Sequence, residues 1–208
     1  MLRLHGYATS INVRKVLWLC AELGLDVELI DRGTATNPVD DPVFVRLNPF
    51  GLVPVLDDGG YILPESNTIL RYLCRREQRA DLLPQKAVAA ANVERWIDWQ
   101  ATDFNDSWRY AFLALVRKRP GFDDPELINR SIEAFDAKAK IVEEQLAKTG
   151  GHIADKEFTL ADIPIGLSLR RWFAMAVDRR DLPNVRHYYE RLCERPSFLS
   201  FGGPDAPA

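Results

Sequence analysis

The stretch from Tyr7 to Asn12 joins a predicted strand to a predicted helix and carries several small polar side chains. The first amides of a helix have no partner within the helix, and the helix dipole adds partial positive charge there. With Thr9, Ser10 and Asn12 at the same point, such a turn can stabilise an anion, and a thiolate is one candidate. The alternative is that Ser10 or Thr9 only caps the helix.

A second stretch, from Asn48 to Leu56, places two prolines around a glycine just before a strand-like run. Because Pro54 has no N–H for a sheet ladder, Val53 and Pro54 are predicted at a strand start or a sheet edge. If their peptide bond is cis, the Val53 amide and carbonyl face open space, where an extended peptide can pair with them. The alternative is an ordinary strand entry in which the proline protects the edge.

A third stretch, from Pro64 to Thr68, precedes another predicted helix. The simpler interpretation is that Ser66 is its N-cap. In the functional interpretation, the Glu65 carboxylate pairs with an ammonium group, while Ser66 and the helix N-terminus bind a carboxylate. An amino-acid head group carries both charges close together, so this stretch predicts a zwitterion site.

The elements that position these stretches follow from hydrophobic spacing. Alternation predicts a strand over 2–6, and a helical period predicts a helix over 10–23 that ends at Gly24. Val27 to Ile30 form a second predicted strand. A β-α-β unit of this length implies parallel strands.

Residues 31–48 give a weak signal, which Pro38 and Pro42 interrupt. Strand, tight turn and strand are predicted over 53–63, and Ser66 then begins a helix. The order of elements predicts an α/β fold, a small mixed sheet with helices on its faces.

The second half of the chain follows a connector from Arg79 to Pro84 and is helical in pattern. Thr159 and Asp162 form a capping-box signature, with Phe158 placed to pack on Ile163. The tail 202–208 is predicted to be disordered. Helices are predicted over 87–117, over 125–148, from Thr159 onwards and over 184–193.

Composition argues against several classes of function. A net charge of −3 over 208 residues offers no overall basic field for nucleic acid. No apolar run approaches the about 20 residues of a membrane-spanning helix, and the first residues lack a secretory signal. Cys20, Cys74 and Cys193 have neither disulfide nor metal spacing, so we expect no metal site and a reducing, cytoplasmic location.

Taken in order, these stretches resemble the cytosolic glutathione transferases, of the serine type found in theta, delta and bacterial-like classes. Each motif alone is weakly specific, but together they cover nearly the whole chain. The resemblance implies a thioredoxin-like glutathione-binding domain over 1–78 and an all-helical domain over 87–208. The motifs are Ser10–Val16, Asn48–Leu56, Glu65–Leu73, Thr159–Ile163 and Leu182–Phe198.

The resemblance further implies a homodimer that conjugates the co-substrate glutathione to a small hydrophobic electrophile in detoxification. Ser10 would then donate a hydrogen bond to the glutathione sulfur, and Asn12 would add a second donor, with Thr9 beside them. Tyr7 is a rival for the sulfur contact and otherwise a pocket residue. No cysteine lies within residues 5–15, which argues against classes that work by disulfide exchange.

For the rest of glutathione, the resemblance assigns the cysteinyl part to the backbone of Val53, before cis-Pro54. Glu65 and Ser66 would hold the γ-glutamyl head group. Leu52 stands where many relatives have Lys or Gln, so its side chain offers no donor to the glycine carboxylate.

The electrophile would lie between the two domains. Phe104, Trp108 and Phe112 repeat at four-residue spacing, and Trp172 is a possible further wall. Arg109 would suit an anionic electrophile. The alternative is that these aromatic residues belong to the core and that Arg109 is a solvated or dimer-interface charge.

Two further functions remain open at this point. The same thiolate could reduce peroxides or remove halogen from a substrate. The fold could also serve as a non-catalytic binding module, since a fold does not fix a function.

Overall fold

The computed structural model describes residues 1–206, and the chain divides into two compact units, Met1–Ala80 and Asp81–Ala208. The first unit holds a four-stranded mixed sheet with helices, and the second is helical. The predicted fold class, a thioredoxin-like α/β domain followed by an all-α domain, is therefore confirmed. Within residues 1–206, no helix is long and apolar enough to cross a membrane.

The first unit alternates strands and helices. Its elements are β1 (Leu2–Gly6), α1 (Ile11–Leu23), β2 (Val27–Asp31), α2 (Pro42–Leu47), β3 (Val55–Asp58), β4 (Tyr61–Pro64) and α3 (Ser66–Arg76). The strand order in the sheet is β2-β1-β3-β4. β1 and β2 are parallel, as the β-α-β pattern predicts, and the other two pairings are antiparallel.

Alternation along β1 decides which face of the sheet is buried, because successive side chains point to opposite faces. Leu2 and Leu4 are buried, whereas Arg3 between them is exposed and forms an ion pair with Glu28 of β2 at 3.4 Å. Leu4 stands opposite the buried Leu56 of β3. A shift of register by one residue would expose these leucines, so the pattern fixes the pairing.

The helix α2 lies in the segment where the sequence predicts only a weak signal. Pro42 was expected to interrupt structure, but it is the first residue of α2. The amide of the first helical residue has no partner within the helix, so the missing N–H of proline costs nothing there. The fixed φ of proline also suits a helix. The Asp41 side chain caps the helix by accepting from the Val43 amide at 2.9 Å.

The second unit contains helices joined by short connections. They are α4 (Ala87–Trp99), a π-helical segment (Gln100–Phe104), α5 (Asn105–Leu115), α6 (Pro125–Thr149), α7 (Asp162–Ala174), α8 (Pro183–Cys193) and α9 (Pro196–Gly202). The tract predicted as one helix over 87–117 is thus divided by a π-helical turn. There the buried Gln100 side chain donates to Ser168 Oγ of α7 at 2.8 Å, a partner that no local pattern reveals.

The start of α7 is organised by Asp162, which is fully buried. Its carboxylate accepts from the amides of Ile153 and Thr159 at 2.9 and 2.7 Å. It also accepts from the hydroxyls of Thr159 and Tyr188 at 3.1 and 2.7 Å. The Thr159 amide donates to Asp162, as the predicted capping box requires. The Asp162 amide donates to the Thr159 carbonyl and not to its hydroxyl, which itself donates to the Asp162 carboxylate.

The end of the described chain is ordered, contrary to the predicted disorder of the tail 202–208. Arg170 of α7 donates to the carbonyls of Gly203, Pro204 and Ala206 at 2.8, 2.9 and 2.7 Å. The guanidinium group can donate several hydrogen bonds in one plane, so Arg170 binds three backbone carbonyls of the chain end at once. The last two residues, 207 and 208, lie outside the described part of the chain.

Candidate functional site

The predicted thiolate site lies at the start of α1. Ser10 is the N-cap residue and is 9% exposed. Its amide donates to the Tyr7 carbonyl and its carbonyl accepts from the Arg14 amide, each at 3.0 Å. Within the described residues its side chain makes no capping hydrogen bond. The capping role of the hydroxyl, which was the alternative interpretation, is therefore not realised, and the hydroxyl can serve a ligand.

The turn before Ser10 is held close to the sheet. A Cβ on Gly6 would lie 2.4 Å from Val13 Cγ2, so only glycine lets α1 approach the end of β1 this closely. The buried Arg14 side chain donates through Nε to the Ala8 carbonyl at 2.8 Å. The Tyr7 ring packs on Gly33, since its ring carbons are the nearest atoms to a Cβ built on that glycine.

The loop before β3 is organised by Asn48, which is 1% exposed. Its side chain donates to the Leu52 carbonyl at 2.8 Å and accepts from the Phe50 amide at 3.1 Å. Its carbonyl accepts from the Gly51 amide at 3.1 Å. Three bonds from one residue close the loop, so Asn48 positions the residues that follow. It belongs to the motif quoted above, but sequence reasoning assigned it no role.

Val53 and Pro54 follow this loop, and their peptide bond is cis. The ladder between β3 and β1 begins at Val55, which stands opposite His5, so Val53 lies just outside the sheet. Within residues 1–206, the Val53 amide and carbonyl join no backbone hydrogen bond. Leu52 is 62% exposed and offers no polar group.

Glu65 and Ser66 begin α3. Glu65 is the exposed N-cap residue, with φ 73° and ψ 106°. A non-glycine residue in this sparsely populated region costs about 1–3 kcal/mol and is often found where a ligand is held. Ser66, by contrast, is 6% exposed. Nothing in the sequence signals the backbone of Glu65, because the residue is not a glycine.

These predicted residues meet in one cleft of the first unit. Most of the predicted glutathione-binding residues line it, together with Asn12 and Asn48. Thr9 and Ser10 are not among the lining residues, but they stand just before Asn12 in the chain. The lining residues are Asn12, Asn48, Leu52, Val53, Pro54, Glu65 and Ser66. The structure thus brings together residues from three separate stretches of sequence.

A buried cation connects the two helices whose N-termini flank this cleft. Lys15 of α1 is 2% exposed, and its Nζ donates to Asn67 Oδ1 of α3 at 3.2 Å. Buried lysines are rare unless they are paired, so this contact holds the second turn of α1 against the first turn of α3. Sequence reasoning missed Lys15, because a charged residue in a helix is normally expected on the solvated face.

We expect Lys15→Met to raise the glutathione KM about 10-fold, the usual effect of losing one charge-assisted hydrogen bond, with kcat changed less. Methionine keeps the apolar stem, so the variant removes the polar contacts of Nζ, among them the bridge to Asn67. Steady-state kinetics with varied glutathione measure the split. The exposed Lys140→Met is the control, and an unchanged KM in a folded Lys15→Met protein would show that the bridge does not position the cleft.

The predicted aromatic pocket residues of the second unit are largely buried. Phe104, Trp108 and Phe112 are 0%, 4% and 1% exposed. Phe104 and Trp108 pack on Phe135 of α6, with ring centroids 5.3 and 6.5 Å apart. These contacts agree with the core interpretation that the sequence left open. The Trp108 indole N–H is buried and has no acceptor within the described residues.

The Arg171 side chain packs on this aromatic cluster. The guanidinium carbon of Arg171 lies 4.3 Å from the ring centroids of both Trp108 and Phe112, whereas Arg109 is exposed. Trp172 lines a different cleft, which none of the other predicted pocket residues lines. Sequence reasoning missed Arg171, since only its proximity in space connects it with residues of α5.

The protein's own thiols are poorly suited to chemistry. Cys20 is buried, and this burial raises its pKa to about 12. Burial also raises the pKa of the half-buried Cys193, and Cys74 is 1% exposed. Among residues 1–206 no group of three or more His, Cys, Asp or Glu side chains could hold a metal ion.

Comparisons with known proteins show which family has this fold. The family model described as "Glutathione S-transferase, N-terminal domain" matches residues 4–80. The chain is 34% identical to glutathione S-transferase GstB of Escherichia coli strain K12 over 199 residues, which cover 95% of each protein. The chain therefore belongs to the glutathione transferase family, and its enzyme class is that of a glutathione S-transferase.

Solved structures and a more distant relative extend this result. The theta class glutathione S-transferase from Xanthomonas axonopodis pv. citri, solved with glutathione bound, superposes with a TM-score of 0.88 and 32% identity. The match covers 100% of this chain and 99% of that one. Elongation factor 1-gamma 1 of Oryza sativa subsp. japonica is 26% identical over 97% of this chain and 48% of its own length.

Proposed function

We propose that this protein binds glutathione in the cleft of its first unit and activates it as a thiolate at Ser10 for attack on a small hydrophobic electrophile. The observation that carries the proposal is the Ser10 hydroxyl, which lies at the N-terminus of α1 and caps no amide there within the described chain. Asn12, which lines the cleft, supplies a second donor, and Thr9 flanks them. Serine-type chemistry is thus our assignment.

The energy required is within reach of these groups. A free thiol has a pKa near 8.5, so only a few per cent is thiolate at neutral pH. Lowering the thiol pKa by about two units requires roughly 2.7 kcal/mol of preferential thiolate stabilisation. A hydrogen bond from Ser10 to a charged sulfur contributes about 1.5–3 kcal/mol, and the N-terminus of α1 adds up to about 1 kcal/mol.

In the proposed reaction, the thiol proton leaves to solvent when glutathione binds. The thiolate sulfur then forms a bond to the electrophilic carbon, and the leaving group departs with the electron pair of the broken bond. Ser10 and Asn12 hold the sulfur at one position, which reduces the entropy lost on reaching the transition state.

The remaining parts of glutathione match the other cleft residues. Glu65 pairs with the ammonium of the γ-glutamyl head group, while Ser66 and the N-terminus of α3 bind its carboxylate. The free Val53 backbone before Pro54 pairs with the cysteinyl part, as in strand addition. Leu52 gives the glycine carboxylate only an apolar neighbour, so that end of glutathione faces solvent more than the head group does.

We assign glutathione binding to domain 1–78, and electrophile contact and dimer contacts to domain 87–208. Trp108 has a free indole donor within the described residues and Arg109 is exposed, so both suit an electrophile with an acceptor or anionic group. Phe104 and Phe112 support Trp108 from the core. We also propose that the protein is a cytoplasmic homodimer.

A second candidate function is a non-catalytic module. The likeness to a protein named elongation factor 1-gamma 1 favours it, since one fold serves several functions. The Ser10 hydroxyl, which caps no amide, and the positive φ of Glu65 favour the enzyme instead, because neither feature is needed for the fold alone. Assays with an aryl halide, a peroxide and a haloalkane separate the two candidates.

The proposed head-group contact predicts weaker glutathione binding after Glu65→Gln. Glutamine removes the negative charge that pairs with the glutathione ammonium and leaves a neutral acceptor. This change should raise the dissociation constant of glutathione about 10-fold. Isothermal titration calorimetry with glutathione measures the change, and the exposed Glu28→Gln is the control. Failure of the unmodified protein to bind millimolar glutathione would refute the proposed function. Binding without turnover of an aryl halide, a peroxide or a haloalkane would leave only the second candidate. A panel of peroxides and haloalkanes then distinguishes conjugation from peroxide reduction and dehalogenation.

A further inference from the structure

A second cleft lies in the helical unit, at the end of α7 and the start of α8, with a volume of about 270 Å³. It shares no lining residue with the glutathione cleft. Trp172 and Phe173 form aromatic walls, and Leu182 adds an aliphatic one. The charged residues that line it are Arg179, Arg180, Arg186 and Asp181.

Two of these three arginines already have a carboxylate partner. Arg180 pairs with Asp136 of α6 at 2.9 Å, and Arg186 pairs with Asp181. Three arginines and two carboxylates, those of Asp136 and Asp181, leave one positive charge in excess here. Arg179 forms no ion pair within residues 1–206, although the charge of Asp136 acts on it from a longer distance.

Arg179 is held in the cleft but is incompletely satisfied. One of its terminal nitrogens donates to the Met175 carbonyl. Its guanidinium carbon lies 5.2 Å from the Trp172 ring centroid and 5.7 Å from that of Phe173. Its Nε is buried and has no acceptor in the described residues. A buried donor without a partner is unfavourable, so an acceptor from a ligand would be bound favourably there.

Other anion-binding groups near this cleft are already occupied. The first amides of α8, those of Asn184 and Val185, donate to the Glu143 carboxylate at 3.1 and 2.8 Å. The Asn184 side chain donates to the same carboxylate at 2.6 Å. An anion entering the cleft would therefore be recognised by Arg179 and not by the helix N-terminus.

We propose that this cleft binds a planar aromatic carboxylate, whose carboxylate pairs with Arg179 and whose ring packs among Trp172, Phe173 and Leu182. One positive charge in excess matches one negative charge on the ligand, whereas a phosphate dianion would need a second cation. The cleft volume of about 270 Å³ can hold a ring system of one or two fused rings against these aromatic and aliphatic walls. This site is additional to the proposed glutathione site and does not depend on it.

The test uses the full chain and isothermal titration calorimetry with naphthalene-2-carboxylate and its neutral analogue, naphthalene-2-carboxamide. We expect the carboxylate to bind saturably and at least about 10-fold more tightly than the amide, the effect of one charge-assisted hydrogen bond. Arg179→Met should remove this difference. Arg179→Lys should keep part of it, since lysine retains the charge but not the guanidinium geometry.

Arg130→Met is the matched control, because Arg130 is exposed on α6 and lies outside the cleft. Circular dichroism and the melting temperature of each variant show whether it is folded. Equal binding of the two naphthalene ligands would overturn the proposal, as would undiminished carboxylate binding by folded Arg179→Met. Displacement of the carboxylate by saturating glutathione would also overturn it, since the ligand would then occupy the glutathione cleft.

Discussion

Ser10→Ala lowers conjugation turnover at pH 7 about 10-fold and raises the dissociation constant of glutathione by less, about 4-fold, because the thiol pKa in the complex returns by about two units. Without the hydroxyl, the pKa of the bound thiol returns from about 6.5 towards 8.5, and the thiolate share at pH 7 falls about 25-fold. The more basic thiolate is a better nucleophile, which recovers part of this loss. Affinity changes less than turnover because the head group and backbone contacts, rather than the sulfur, hold most of glutathione.

The sign of the pH dependence makes this prediction sharp. A thiol whose pKa is about 6.5 in the complex is already about three-quarters ionised at pH 7, so the unmodified enzyme gains little between pH 7 and 9. The variant continues to gain activity up to about pH 9. Because its thiolate is the better nucleophile, its rate reaches that of the unmodified enzyme between about pH 8 and 9. Steady-state rates with an aryl halide over this range, together with calorimetry at pH 7, provide the measurement.

Two further substitutions identify the residue if this expectation fails. Asn12→Ala should have a smaller effect than Ser10→Ala, because Asn12 is the second donor. Tyr7→Phe should have almost none, because the proposal assigns the sulfur contact to Ser10 and Asn12. An unchanged pH profile in Ser10→Ala together with a shifted one in Tyr7→Phe would transfer the role to Tyr7.

Asp162→Ala should destabilise the helical unit by about 3–5 kcal/mol, the range found when one partner of a buried charged network is removed. Four donors converge on this carboxylate, two of them backbone amides that cannot turn elsewhere. Each buried donor left without an acceptor costs about 1–3 kcal/mol. The connection before α7 and the contact with Tyr188 of α8 would be lost together.

Asp162→Asn tests the same network at constant volume. An amide keeps one acceptor oxygen but turns an NH₂ group towards donors that need an oxygen, so we expect a loss nearly as large as that of alanine. Urea unfolding followed by circular dichroism measures both variants. Asp155→Asn, exposed in the same connection, is the control. If Asp162→Asn unfolds at the same urea concentration as the unmodified protein, the carboxylate network contributes little.

Strands and long helices could be predicted because their signals are local. The alternation of β1 and the helical period of α6 are repeated several times along the chain, so tertiary contacts need only reinforce them. The short α2 was missed because Pro42 has opposite meanings inside a helix and at its first position. The end of the chain was misjudged because its partner, Arg170, lies more than 30 residues earlier.

The candidate site shows the same division between local and distant information. Ser10 and Glu65 could be named from their motifs, and the structure adds that the Ser10 side chain does not cap its helix. The positive φ of Glu65 could not be predicted, because it follows from the surrounding chain rather than from the residue. Lys15 and Asn48 were missed as positioning residues, since their roles are set by burial and by partners in space.

The low reactivity of the three cysteines has a consequence for the proposed function, in which the protein binds electrophiles. A reagent that alkylates sulfur reacts with the thiolate form, and at a pKa of about 12 only about one Cys20 side chain in 10⁵ is ionised at neutral pH. Cys74 is shielded by burial, and the pKa of Cys193 is raised as well. In the proposed reaction an electrophile would therefore react with the thiolate of bound glutathione, which is the most reactive sulfur in the complex, rather than with the thiols of the protein.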